Sequence, residues 1–259
     1  MIITHKGEFF KGVVLAVTFL IVLAIMFMPY FGTEGNRGLN ALEAADKLFN
    51  SISKGSTNYF AGLAKKVQSI QDKTFDLTIK LKSEDLAKRA TTLLQKANVS
   101  VKTDGAQLNM TGKFGDLLTT ALADSEVLFR NQSEELGKKY GFSGPTGYTR
   151  KGTHTGDREA SSGELVGYVW SSVLYAMDKP LKDKHQFAEA TIISEVMKKG
   201  VDVAYNFYGI EAETIGTKVG ILSFALIFYV LYTIWWGVAI LFLCEGIGLQ
   251  MKAGAKKEV

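Results

Sequence analysis

The stretch from Val219 to Cys244, VGILSFALIFYVLYTIWWGVAILFLC, decides the fold, because it runs without a charged residue until Glu245 closes it. About twenty apolar residues cross a hydrocarbon core of roughly 30 Å, so this run has length to spare for tilt. It reads as a membrane span. Working outward, a second apolar stretch, Gly12 to Phe31 (GVVLAVTFLIVLAIMFMPYF), lies near the N-terminus. A secretory h-region is shorter, roughly 7–15 residues, and ends at a small-x-small cleavage site. This one ends in Met-Pro-Tyr-Phe-Gly and reads as a retained signal-anchor. Pro29 stands where a helix can stop, and Tyr30 and Phe31 suit the headgroup layer.

Lysine and arginine near the spans set the expected orientation. Lys6 and Lys11 precede the first span and Lys252, Lys256 and Lys257 follow the second, against Arg37 and Lys218 on the other side. Both termini are therefore expected in the cytoplasm. The resulting layout is a leader (1–11), a first transmembrane helix (12–31), an extracytoplasmic domain (32–218), a second transmembrane helix (219–244) and a cytoplasmic tail (245–259). In a bacterial inner membrane the domain would be periplasmic. Three triplets, Asn98-Val-Ser, Asn109-Met-Thr and Asn131-Gln-Ser, match the glycosylation acceptor pattern. Two of them fall in predicted strands instead of loops, so they read as chance matches.

Composition excludes several classes. Thirty Lys and Arg against 26 Asp and Glu give a mild positive balance, interspersed along the chain and not gathered into the basic stripe that nucleic acid requires. Cys244 stands alone, which leaves no disulfide framework, CxxC zinc site or CxxCH haem attachment. No cofactor and no metal are expected.

The region between the spans changes period as it goes. Asn40 with Glu43 three residues on predicts a capped helix whose stripe is Leu42, Ala45, Phe49 and Ile52; a second helix, Ser56 to about Gln71, carries Tyr59, Leu63, Val67 and Ile70. Both stripes are read as facing a core. Phe75 to Leu81 alternates apolar and polar residues and reads as a strand. Ser83 caps a helix to about Ala97, Val99–Thr103 and Ala106–Thr111 alternate again around an Asp104-Gly105 turn signal, and a helix follows from Phe114 to about Asn131. The first two strands are expected parallel through a right-handed crossover and the last two antiparallel. The fold class is therefore a membrane-anchored α+β protein: two transmembrane helices flank a mostly helical extracytoplasmic domain with a small three-stranded mixed β-α-β-β sheet. The order helix-strand-helix-strand-strand, over Ser56 to Gly112, resembles the topology of the BON domain, a small module of bacterial envelope proteins.

From Tyr140 to Gly163 the chain is rich in Gly, Ser and Thr and reads as a flexible exposed loop; Arg150, Lys151, His154 and Arg158 make it a candidate docking surface. A helix ending at Asp178 and another opened by Pro180 follow, with helical structure expected to continue from Tyr208 into the second span at most kinked. Catalytic signatures are missing from the pattern. His5, His154 and His185 lie in the leader, the loop and a charged turn, and no GxSxG elbow or SxxK motif opens a plausible helix. The carboxylate pairs Glu84-Asp85, Glu134-Glu135 and Glu211/Glu213 fit helix ends or surface.

The spans hold the remaining signal. Thr233, Gly237, Cys244 and Gly248 share one face of a helix, and Gly12 and Ala16 repeat the small-xxx-small spacing in the first span, the pattern by which helices pack in lipid. Their partner is expected to be either the other span of the same chain, the simplest choice, or a second protein. Trp235 and Trp236 sit mid-run, away from the interfacial belt, and imply either a run protruding from the bilayer or an interface with another subunit. Glu245 is expected to pair with Lys11 or Lys252. The expected function is that of a non-catalytic membrane protein, an accessory, scaffolding or assembly subunit whose partners are the lipid bilayer and other membrane subunits or a second copy, with no nucleic acid. The alternatives are a transmembrane sensor with an external ligand-binding domain, and an envelope enzyme of unrecognised type.

Overall fold

The computed structural model of the protein describes residues 3–34, 37–142, 146–150 and 157–249. In chain order the elements are α1 (Lys6–Met26), β1 (Thr33–Glu34), β2 (Arg37–Gly38), α2 (Ala41–Ser56), α3 (Phe60–Gln68), β3 (Thr74–Lys80), α4 (Glu84–Lys96), β4 (Ser100–Asp104), β5 (Gln107–Lys113) and α5 (Phe114–Phe129). They continue with α6 (Ser133–Tyr140), β6 (Thr149–Arg150), β7 (Arg158–Glu159), α7 (Ser162–Asp183), α8 (Phe187–Val196), a π-helical turn (Met197–Val201), α9 (Asp202–Asn206) and α10 (Ile215–Gly246). Two compact units result: Met1–Ile52 with Glu213–Val259, and Ser53–Ala212.

In the first unit α1 and α10 are long and apolar enough to cross a membrane, as the two runs predicted. Both are apolar on every side, the character of a helix surrounded by lipid. Their limits differ from the apolar runs. The first helix starts at Lys6 and stops at Met26, ahead of Pro29, and the second adds Ile215–Lys218 and two residues after Cys244. Beyond α1 the chain doubles back: the Phe31 N–H donates to the Leu39 carbonyl and the Leu39 N–H to that of Gly32, each at 2.9 Å. Asn40 and Glu43 cap α2 reciprocally, at 2.9 and 3.0 Å, the device their spacing predicted. The expected core-facing stripe of α2 is corrected, however. Ile52 is buried, but Leu42 and Phe49 are about half exposed, at 54% and 49%.

The second unit is helical around a three-stranded sheet of order β3-β5-β4. Every pairing is antiparallel, so the mixed sheet read from the sequence is corrected. The first two strands do point the same way, but β5 lies between them. The reason is length and burial: seven residues of β5 match seven of β3, from Thr74↔Lys113 to Lys80↔Gln107, and Leu108 and Met110 of β5 are fully buried, as a central strand requires. The turn's central residues are Gly105 and Ala106; Gly105 has φ +57°, the glycine that a type II′ hairpin demands at its first position. One face of the sheet carries Phe75, Leu77 and Ile79 into the core with Leu86, Phe114, Leu118 and Trp170; the other is polar.

Two further boundaries move. Pro180 does not open a helix but rides in the last turn of α7, where the hydrogen bond it cannot make is one of few lost. The helix leading to the second span is not continuous either. Between Asn206 and Ile215 the chain is non-helical, with Gly209 at φ +81°.

Candidate functional site

The paired spans and the buried charges of the domain are the two places where side-chain chemistry is concentrated. In the spans, α1 and α10 pack against each other through stripes spaced three and four residues apart, Phe9, Gly12, Ala16, Phe19, Leu23 and Met26 facing Ala225, Phe228, Tyr232, Trp235, Ala239, Phe242 and Gly246. Such a repeat is the seam of a left-handed helix pair. The approach is closest at glycine. A β-carbon on Gly12 would stand 2.7 Å from the Leu243 amide nitrogen, and one on Gly246 would stand 2.5 Å from the Phe9 Cα. Ala239 is completely buried between them.

The tryptophans belong to this seam. Trp235 donates its indole N–H to the Leu15 carbonyl at 3.1 Å, and Trp236 lies on the Phe19 ring with centroids 4.6 Å apart. Phe19 also stacks on Tyr232 at 4.1 Å, and Phe228 and Phe224 extend the stack along α10 at i, i+4 spacing. Aromatic rings in the middle of α10 therefore fill a helix interface within the chain, and the indole proton finds an acceptor that an apolar surrounding would not offer.

The small residues read as one face divide differently. Gly12 and Ala16 lie on the seam. Thr233 is exposed and returns its hydroxyl to the Tyr229 carbonyl of its own helix, Gly237 has no atom within 4 Å of where its β-carbon would be, Cys244 is a half-buried free thiol, and Gly248 lies past the helix end at φ +85°, near Thr4. The expectation that Thr233 and Gly237 face the other span is thus corrected. Aromatic rings and Ala239 took the seam, since the stripe from Ala225 to Gly246 is the longer apolar repeat. Lys11 pairs with Glu8 at 3.0 Å and lies over the Phe242 ring, not beside Glu245; Lys252 falls outside the described residues.

In the domain, two of the candidate docking cations, Arg150 and Arg158, share one buried carboxylate. Glu164 is fully buried and receives both guanidinium nitrogens of Arg158, at 2.7 and 2.8 Å, a nitrogen of Arg150, and the Ser161 N–H at 2.8 Å. Arg150 also donates to the Asn206 carbonyl at 2.9 Å and covers the Tyr205 ring. Arg150 and Arg158 face each other in the short β6–β7 ladder, so the ends of the loop are clamped onto the start of α7. Glu164 is also the third residue of the α7 capping box, which places its carboxylate at a helix N-terminus. Burial pushes its carboxyl up, but the hydrogen bonds of Arg158, Ser161 and Arg150 outweigh this and hold it below the ordinary value. Arg150 is therefore a largely buried structural cation, and Arg158 binds the same carboxylate while 47% of its side chain stays exposed; Lys151 and His154 lie outside the described residues.

Two more buried groups were missed in the sequence. Asp124, at 2% exposure, accepts from the Trp170 indole at 2.8 Å, from Lys139 at 2.5 Å and from the Tyr140 hydroxyl, whose own ionisation is pushed up by burial and by that carboxylate. Lys54 is buried at 3% and donates to Asn131 Oδ1 (2.9 Å) and to the carbonyls of Phe207 (3.1 Å) and Ile210 (2.6 Å). Burial pulls its pKa down, with Glu211 opposing. Asn131, at φ +64°, also accepts from the Gly209 N–H, so this clasp joins the two ends of the domain and ends the helical run before α10. An i, i+3 apolar pattern cannot reveal such groups, because their partners are 15 to 46 residues away for Asp124 and 77 to 156 for Lys54.

Glu84 and Asp85 lie in the first turn of α4 and Glu134 and Glu135 in that of α6, the helix-end positions read for them. His185 is exposed in the turn after α7. Among the described residues no group of three His, Cys, Asp or Glu is placed to hold a metal ion. No family model, no curated protein and no solved structure matches the chain.

Proposed function

We propose that the protein is a non-catalytic, membrane-anchored accessory or assembly subunit, whose second span offers its outer face to another membrane subunit while the domain lies outside the cytoplasm. The observation that carries this reading is the division of α10. One face is filled by α1, whereas Thr233 and Gly237 lie on a face that no other element among the described residues covers. Small residues on an open face let a second backbone approach closely, which is how helices associate in lipid. The engagement of Asp124 and Glu164 in internal ion pairs supports a structural role over a catalytic one for the buried carboxylates. A sensor loses its rigid rod to the break between α9 and α10.

Gly237→Leu tests the proposal, because among the described residues no atom lies within 4 Å of where its β-carbon would stand. Native purification in mild detergent from the parent strain should lose the co-purifying membrane subunit while the α1–α10 pair persists. Unchanged association would sink the reading.

A further inference from the structure

We propose that the free edge of β4 joins two copies of this chain, pairing antiparallel with itself about Lys102 to make one six-stranded sheet. In a two-residue hairpin closed by Asp104↔Gln107, alternate residues bond the partner strand, so Ser100, Lys102 and Asp104 turn their backbone groups to β5. The N–H and C=O of Val101 and Thr103 point outward. Among the described residues no other group bonds these four. Upstream, the edge is closed by the Val99 N–H bonding the Leu94 carbonyl, so the open template is short and has one centre.

The other edge of the sheet, β3, is exposed at four of its seven residues. The β3 side is touched by Lys184, which reaches the Asp76 carbonyl, whereas β4 is exposed at four of its five residues. An open groove of about 750 Å³ runs beside it, lined by Gln95 and Asn98 at the end of α4 and by Val101 and Lys102.

Charge complementarity selects the occupant. A lysine in the middle of an edge strand ordinarily discourages pairing, because a partner strand must face it. Read antiparallel against itself, Ser100-Val101-Lys102-Thr103-Asp104 sets Val101 opposite the partner copy's Thr103 and, at the axis, Lys102 opposite its own copy. Each Lys102 then has the other copy's Asp104 on the diagonal, within reach of a long side chain. All four outward backbone groups find partners in this register, and a one-residue slip would lose both the bonds and the ion pairs. The interface is isologous and closes at two copies. Anchoring in one bilayer raises the concentration at which the copies meet. This pairing does not depend on the open face of α10, so Gly237→Leu should leave it intact.

The full chain with Cys244→Ser, in phosphatidylcholine vesicles, carries the test. Lys102→Cys should oxidise to a covalent dimer, since cysteines opposite one another at a non-hydrogen-bonded pair are in bonding range, and Lys80→Cys, on the same sheet face at β3, should not. By light scattering in mild detergent, Lys102→Glu should weaken the dimer about tenfold, and adding Asp104→Lys should restore it. Thr103→Pro removes an outward N–H together with the 2.9 Å bond between the Thr103 and Thr91 hydroxyls, and should give monomers, whereas Thr103→Val, which loses that hydroxyl bond alone, should stay dimeric. Equal crosslinking of the two cysteine variants, a monomeric parent, or a dimer indifferent to both Lys102→Glu and Thr103→Pro overturns the proposal. Crosslinking of Lys102→Cys to a different polypeptide in native membranes overturns it in favour of a foreign strand.

Discussion

The spans and the domain solve one problem in opposite ways. Each must bury polar groups: in the domain these are ionised side chains, Glu164 between two arginines and Asp124 beneath Lys139, and in the span pair they are the backbone of α1 and the indole of Trp235. The domain neutralises charge with charge, at a desolvation cost that only complete hydrogen bonding offsets. The spans exclude charge and approach through glycine, gaining packing where water gives no hydrophobic drive. Removing one partner should therefore be severe in the domain, whereas adding bulk should be severe in the spans.

The largest expected effect breaks the charged cluster. Glu164→Ala leaves two guanidinium groups without their carboxylate and should destabilise the domain by about 3–5 kcal/mol, read as a lowered melting temperature of the whole chain. A pH titration sharpens the same point. The Glu164 pKa is lowered on folding, so its contribution is present above the unfolded value near 4.5 and is lost as pH falls through the lower folded value. Glu164→Gln should flatten the acid limb of the stability curve; an unchanged limb would place the acid sensitivity elsewhere.

Next comes bulk in the seam. Gly246→Leu would drive a side chain into the Phe9 backbone and should separate α1 from α10, at a cost of about 1–3 kcal/mol, measured as lost disulfide crosslinking between cysteines placed across the pair. Trp235→Phe removes only the bond to Leu15 and should cost about 1 kcal/mol or less, seen as a small rise in crosslinking mobility. The smallest effect is that of Gly237→Leu on the α1–α10 pair, expected to be nil. A loss as large as that of Gly246→Leu would show that the open face is not open.

Much of this architecture was readable beforehand, for a local reason. Both spans, the alternating strand from Phe75, the Ser83 and Asn40 caps and the Gly105 hairpin rest on residues within a few positions of each other. The strand order was not readable, since whether β3 pairs with β4 or β5 depends on which strand finds hydrogen-bond partners along both of its edges. Nor was the shared ion pair of Arg150 and Arg158, because a cation in a Gly-rich loop looks unpaired until its buried carboxylate is located. In the spans the small-residue pattern drew attention to Thr233 and Gly237, while the seam formed on the aromatic heptad beside it. A three-four count over the whole of both runs would have found Tyr232, Trp235, Ala239 and Gly246.

The sequence by itself determined that two helices are apolar enough for a membrane, where the chain turns, and which periodicities build the intervening domain. Hydropathy and capping act over one or two turns of chain, so no distant residue can alter them. Tertiary structure alone decided which face of α10 is occupied, that the sheet is wholly antiparallel, and that Lys54, Asp124 and Glu164 are buried and paired. Each of those outcomes is a competition among partners far apart in sequence, settled by close packing and by the cost of leaving a buried polar group unpaired.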